Sequence, residues 1–358
     1  MIFPEESLLE IPSVSSCFVR NAIQSVPFNS SYFICVPTVS YVLILEVTTT
    51  SKLQGNCSIR NSWKVDIGLV SCVAFHQNGQ LLVLARETQL LVLRLVEQEW
   101  KQIFLRDMRF YPRAITIVDR DKYRLDILVS GACGVVIVSC NPANQEKLLI
   151  NLLEGTAGHC CCCLVSLNSS LVAAATTDGR AAVWLREEKT PDWKPVASLM
   201  PLHEAVTLAA CDRIVDIGLY YREENNHYFL ALGWWNGAVL VYTCPKDSTS
   251  YKLQWSREAC SNCHSWKDIP CGYLTWHVSG QQLIVCTEPF RISILDAWNG
   301  SVIRTLFVPS HFLCQGVSIC NEYLLLLSKN ICHSKWSVLH YCHVGGQTCR
   351  AQTDEFQT

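Results

Sequence analysis

The segment Arg291-Ile-Ser-Ile-Leu-Asp-Ala-Trp-Asn-Gly-Ser-Val-Ile-Arg-Thr-Leu306 alternates apolar and polar residues, turns, and alternates again. A period of two reads as strand. Asn299-Gly300 reads as the tight hairpin between two strands, because Asn and Gly tolerate the positive φ such a turn needs. Weaker copies of the same unit recur along most of the chain. A repeat of this size predicts an array of small sheets, and that array constrains both fold and function.

The full unit has four strands. Its clearest copy predicts strands over 70–75, 81–85, 90–95 and 100–105, with a turn at Gln77-Asn-Gly-Gln80. The next copies predict 114–118, 125–129, 134–138 and 147–153, then 160–167, 171–176, 181–185 and 196–200. Two more follow over 214–220, 228–232, 238–242 and 251–255, and over 272–276, 282–286, 292–295 and 302–307. An earlier set falls near 22–28, 32–35, 41–45 and 63–65. First strands recur every ~42–58 residues, the spacing of a four-stranded propeller blade.

The two ends complement each other. The last copy offers strands at 316–320, 323–327 and 336–341 but no fourth, while Ser7–Pro12 is a strand to spare. Pairing the spare strand with the incomplete copy removes the unpaired edges of an open array. The expectation is an all-β fold: one seven-bladed β-propeller over 1–345, closed by the N-terminal strand, with a polar tail over 346–358. Six and eight blades are the other counts the spacing admits.

Composition narrows the class. Of 358 residues, 49% are hydrophobic and 17% charged, and the net charge is −2. That weighs against a nucleic-acid binder working through bulk charge, leaving RNA only indirect contact or a local basic patch. The 21 cysteines are scattered, many inside apolar runs such as Ser71-Cys-Val-Ala-Phe75. Reduced cysteine packs as a small hydrophobe, so these read as core thiols of a reducing compartment. No basic start followed by a long apolar stretch opens the sequence, and the apolar runs are too short to span a bilayer. Both point to an intracellular protein of the cytoplasm, the nucleus or both, without membrane insertion.

The fourth copy carries a more specific pattern. Gly158-His159 precedes its first strand, Asp178-Gly179 occupies its second hairpin, and Trp184 follows the aspartate by six residues. In this it resembles the WD-repeat β-propellers. The resemblance implies that His159, Thr176, Asp178 and Trp184 form a buried hydrogen-bonded cluster that is structural, not catalytic. Elsewhere the signature is degenerate: Trp184 is followed by Leu185, and the matching places in the next two copies read Tyr242-Thr243 and Leu295-Asp296.

Motifs for chemistry are few. Cys260-Ser-Asn-Cys263-His264 has the spacing of a haem attachment site, but the sequence shows no export route for one. As a zinc clip, Cys260 and Cys263 would supply two thiolates and His264 or Cys271 further ligands. With so many cysteines a chance Cys-x-x-Cys is easily met, so the expectation is inert thiols, no metal and no cofactor. Cys160-Cys-Cys-Cys163 lies on an inner strand, where successive side chains diverge and cannot converge on one ion. It reads as core packing. No Gly-x-Ser-x-Gly, His-Glu-x-x-His or Gly-x-x-x-x-Gly-Lys is present, which favours a non-enzyme.

Topology supplies the candidate surface. In a propeller, second hairpins and blade-to-blade connections share one rim. Arg106, Arg109, Arg180, Trp235, Phe290 and Arg291 gather there, and arginine and aromatic residues are the types that anchor interfaces. Arg120, Lys122 and Arg124 mark the opposite rim. The reading is a non-catalytic scaffold for protein partners in an intracellular complex. The alternatives are an accessory subunit of a tRNA-modifying methyltransferase and a ubiquitin-ligase substrate receptor, although the Trp-Asp-x-Arg ending of the latter is replaced by Trp184-Leu-Arg186.

Overall fold

The computed structural model describes residues 7–12, 23–49, 57–141, 144–177, 179–186, 192–199, 214–258, 269–309, 311–332 and 336–344. The first strand, β1 (Ser7–Pro12), finds its partner only at the far end of the chain. Blade 1 is β2 (Gln24–Phe28), β3 (Ser31–Pro37), β4 (Val42–Thr49) and β5 (Cys57–Val65). Blade 2 is β6 (Cys72–Phe75), β7 (Leu81–Arg86), β8 (Gln89–Val96) and β9 (Glu99–Asp107). Blade 3 is β10 (Ala114–Asp119), β11 (Leu125–Gly131), β12 (Gly134–Asn141) and β13 (Asn144–Leu152).

Blade 4 is β14 (Cys161–Leu167), β15 (Leu171–Thr176), β16 (Ala181–Arg186) and β17 (Trp193–Leu199). Blade 5 is β18 (Ile214–Arg222), β19 (His227–Trp234), β20 (Val239–Pro245) and β21 (Lys252–Arg257). Blade 6 is β22 (Leu274–Trp276), β23 (Gln282–Glu288), β24 (Arg291–Asp296) and β25 (Val302–Phe307). Blade 7 runs β26 (Phe312–Cys320), β27 (Tyr323–Asn330) and β28 (Trp336–His343), and β1 is its fourth strand.

Each blade is an antiparallel meander, and the first strands touch in a closed cycle, β2 to β6 and onward through β26 back to β2. The fold is therefore a seven-bladed propeller. β1 pairs antiparallel with β28, Leu9 opposite Leu339 and Ile11 opposite Ser337, so the N-terminal strand closes the ring as expected.

The core lies between blades rather than within one centre. Each of the seven seams carries its own apolar cluster. A blade is covered on both faces, which is why its inner strands read as continuous apolar runs instead of alternating ones. On β27, Leu324 and Leu326 face blade 6, whereas Leu325 and Leu327 face blade 1. Each fully buried leucine contributes roughly 1.5–3 kcal/mol.

Polar links cross the seams as well. The Ser25 and Ser318 hydroxyls meet at 2.6 Å between β2 and β26, and Thr116 and Ser166 at 2.6 Å between β10 and β14. Buried Asp216 on β18 accepts from the Leu274 amide at 3.0 Å. The indoles of Trp63 and Trp255 donate to the carbonyls of Gln98 and Ala297 on the next blade.

The Asn299-Gly300 turn differs from its sequence reading. Gly300 has a φ of +71°, but Asn299 stays outside the left-handed region. The Asp296 carboxylate captures the amides of Trp298 and Asn299, both at 2.9 Å, and this opens a longer loop with a register shift at Ile294/Leu295. Gly300 is needed there for a second reason, since a Cβ would run into the Trp255 indole. The two-residue turn with both φ positive is instead Glu97-Gln98, at 53° and 68°.

Cys161, Cys162 and Cys163 are core residues, as expected, but they do not simply alternate. A bulge between Cys161 and Cys163 turns Cys162 and Cys163 to the same seam, where both thiols reach the Ile214 carbonyl. Cys161 faces blade 3.

Candidate interaction rim

Second hairpins and blade-to-blade connectors form one rim, and first and third hairpins the other. The connector after β9 is the best-defined feature of the first rim. Met108 is buried and its amide donates to the Thr88 carbonyl at 2.8 Å; Arg113 donates to the Ser130 carbonyl at 2.8 Å. Between these anchors Arg109 takes a φ of +61°, and its amide donates to the Asp107 carboxylate at 2.9 Å. That bond holds the Asp107 carboxyl below the usual range, helped by the Thr88 hydroxyl and by the charges of Arg109 and Arg106. The result is a pinned loop with Arg106, Arg109 and Tyr111 exposed.

The other predicted residues occupy matching hairpins. Arg180 is exposed, and its amide donates to the Thr176 hydroxyl at 3.2 Å. Trp235 is half-buried, and its carbonyl accepts from the Cys271 amide at 2.9 Å, while its neighbour Trp234 is wholly buried. Phe290 is half-buried, and its carbonyl accepts from Val308 at 2.8 Å. Arg291 is ion-paired with Glu288 at 3.0 Å on its own hairpin, so its charge is already compensated. The fold sets Arg106 at the end of β9, Arg109 on the connector that follows, and the other four at hairpins of blades 4, 5 and 6.

Sequence reading missed a groove of 520 Å³ beside this connector. Asp66, Ile67, Gly68 and Leu69 from the first connector line it, with Arg86, Glu87 and Gln89 from blade 2 and Tyr111. Gln89 pairs with Asp107, so the groove continues into the Arg106–Arg109 loop. The signal was topological: a connector and a second hairpin share this rim.

The four residues expected to form a structural cluster fall as follows. Trp184 is buried, and its indole donates to the Glu154 carbonyl at 2.9 Å. Thr176 donates its hydroxyl to the Arg180 carbonyl at 3.2 Å, and the His159 amide donates to Thr156 at 3.1 Å. Asp178 lies outside the described residues. So do Cys260, Cys263 and His264 of the zinc reading, and the tail. Cys271 is buried. The neighbouring Cys271 and Cys314 thiols, together with burial, hold the Cys286 thiol well above its usual range, and its Sγ donates to the Glu288 carbonyl at 3.1 Å. Among the described residues no group of three His, Cys, Asp or Glu side chains is arranged to hold a metal, and no helix is long and apolar enough to cross a membrane.

Among solved structures, the chain is similar to the β-propeller domain of Cps50 (Swd1) from Myceliophteria thermophila. The TM-score is 0.64 at 13% identity, over 94% of this chain and 99% of that one. At this identity the likeness shows a shared propeller fold. No protein-family model matches the chain, and no curated protein matches it.

Proposed function

We propose that this propeller is a non-catalytic scaffold that holds protein partners of an intracellular complex on the rim of second hairpins and connectors. The observation that carries the reading is the pinned Asp107–Arg113 loop, which fixes exposed Arg109 and Tyr111 next to Arg106 of β9, beside a groove of 520 Å³. A loop held in place before binding loses little entropy on association, and arginine and tyrosine are typical interface anchors. Arg180, Trp235, Phe290 and Arg291 extend the surface along the same rim. A reducing compartment fits the cysteines: each one among the described residues is a free thiol, and burial pushes Cys57 up to about 12 and Cys140 to about 11. Such thiols are poor nucleophiles, in keeping with a structural role.

The test is affinity purification of the whole chain with mass spectrometry, repeated for Arg109→Ala combined with Phe290→Ala. The main partner should be lost by well over tenfold while the melting temperature stays unchanged. Retention of every partner by the double variant overturns the choice of rim.

A further inference from the structure

The opposite rim holds a second, differently charged feature at the seam of blades 2 and 3. A cleft of 210 Å³ opens there between the β8 side of blade 2 and the hairpin joining β10 to β11. Arg94 enters from blade 2, and Lys122 and Arg124 from blade 3. All three are exposed.

The acids of the cleft are already committed. One oxygen of Asp119 takes the His76 ring nitrogen at 2.9 Å, and the other takes the Gln77 amide. Asp121 accepts the backbone amides of Tyr123 and Arg124, at 2.8 and 2.9 Å, and meets the Arg124 guanidinium only at 3.9 Å. The nearby Arg120 is spent on Ser139 and Asp126. Arg94 has no carboxylate within salt-bridge distance among the described residues. Instead it stands opposite Lys101 in the β8–β9 register, a like-charge pairing that a sheet tolerates at a cost. Lys101 itself lies within 4.0 Å of Glu97 and Glu99. Lys122 lies over the ring of Tyr123, 5.5 Å from its centroid, and Tyr123 is 66% exposed.

Cations from two blades therefore converge on a pocket in which Asp119 is hydrogen-bonded through both oxygens and Asp121 through one. From this we infer that the cleft is a second docking site, and that it receives a short Asp/Glu-rich segment of a partner protein. Charge complementarity selects the occupant: carboxylates on such a segment would pair with Arg94 and Lys122, with Tyr123 as an apolar plate beside them. A nucleic-acid strand fits less well. The basic area is one pocket rather than a stripe that could follow successive phosphates. The site is independent of the other rim.

The test uses the full chain as bait for a random displayed library of 15-residue peptides. The selected peptides should be rich in Asp and Glu and should bind saturably. R94E combined with K122E should weaken them by more than tenfold, at an unchanged melting temperature, because both residues are exposed. Arg109→Ala with Phe290→Ala, on the far rim, should leave them untouched. A single-stranded RNA oligonucleotide should fail to displace them at equal concentration. Selection without acidic bias, acidic peptides indifferent to the double reversal, or RNA bound more tightly than peptide would each overturn the inference.

Discussion

The Arg186 guanidinium closes on the Asp126 carboxylate across the seam of blades 3 and 4, with Nη1 to Oδ2 at 2.9 Å. Both side chains are buried, and Arg186 also donates to the carbonyls of Asp119 and Ser169 and lies over the Trp193 ring. Ser139 completes the carboxylate at 2.5 Å. Removing one charge strands the other. Asp126→Ala should cost about 3–5 kcal/mol, and adding Arg186→Met should recover part of the loss. Urea melts that show the double variant as unstable as the sum of its singles would mean that the pair is not coupled.

Ring closure makes a second prediction. Without residues 1–14, β28 keeps β27 but loses its outer partner, and blade 7 keeps an open edge beside the blade 1 seam, where Ile11 is buried. The truncated chain should aggregate or melt far below the parent. An unchanged melting curve and a monomeric elution profile would remove β1 from the account.

Two glycines separate packing from backbone conformation. A Cβ on Gly233 would collide with the carbonyl oxygen of Gly272 on the neighbouring blade, so Gly233→Ala should cost about 3 kcal/mol or more. Gly155 has a φ of +78° and open space around it, so Gly155→Ala should cost only about 1 kcal/mol. Equal losses in thermal melts would contradict the seam geometry.

His340 sets a pH dependence. Burial, then the charge of His311, lowers its pKa to about 4, while its Nε2 and the Ser328 hydroxyl lie 2.9 Å apart. The unfolded chain binds that proton near pH 6.5, so between those values it holds more protons than the fold. Stability should then be full above pH 6.5 and fall by about 3 kcal/mol as pH drops toward 4. His277, lowered by burial, adds in the same direction. Denaturant midpoints at pH 7.5 and 4.5 check the sign, and His340→Gln should shrink the difference.

Thiol chemistry gives the fifth. Exposed Cys133 and Cys332 should alkylate in the native state, whereas Cys35 and Cys286, fully buried with raised pKa values, should not. Peptide mapping after brief labelling reads this directly. Elemental analysis should find less than one zinc per chain; stoichiometric zinc lost on Cys260→Ser/Cys263→Ser would revive the metal reading.

Much of the architecture was legible because blades repeat. Leu324 to Leu327 reads as strand in any window, and its two-sided burial explains why it does not alternate. The spare strand at Ser7 and the missing one after β28 were visible as a mismatch in the count. Details that depend on a single carboxylate were not. Asp296 rewrote the Asn299-Gly300 turn by taking two amides, and the bulge at Cys161/Cys163 put two consecutive thiols on one seam. The rim was reachable by topology, but its groove and the ion pair of Arg291 with Glu288 depend on side-chain geometry. The opposite cleft was legible only as three basic residues, of which Arg120 proved to be occupied.

The pairing of Leu9 with Leu339 also fixes a schedule. Three hundred and thirty residues separate the two (339 − 9), so β1 must wait for the six blades between them and the rest of blade 7 to be made. At ribosomal speeds of about 5–20 residues per second that wait lasts on the order of tens of seconds. Until then the blade 1 face that Ile11 covers has nothing to rest on, and the nascent chain must be kept from pairing with a stranger. A cell making this protein therefore meets its most aggregation-exposed form during synthesis, before the last blade emerges.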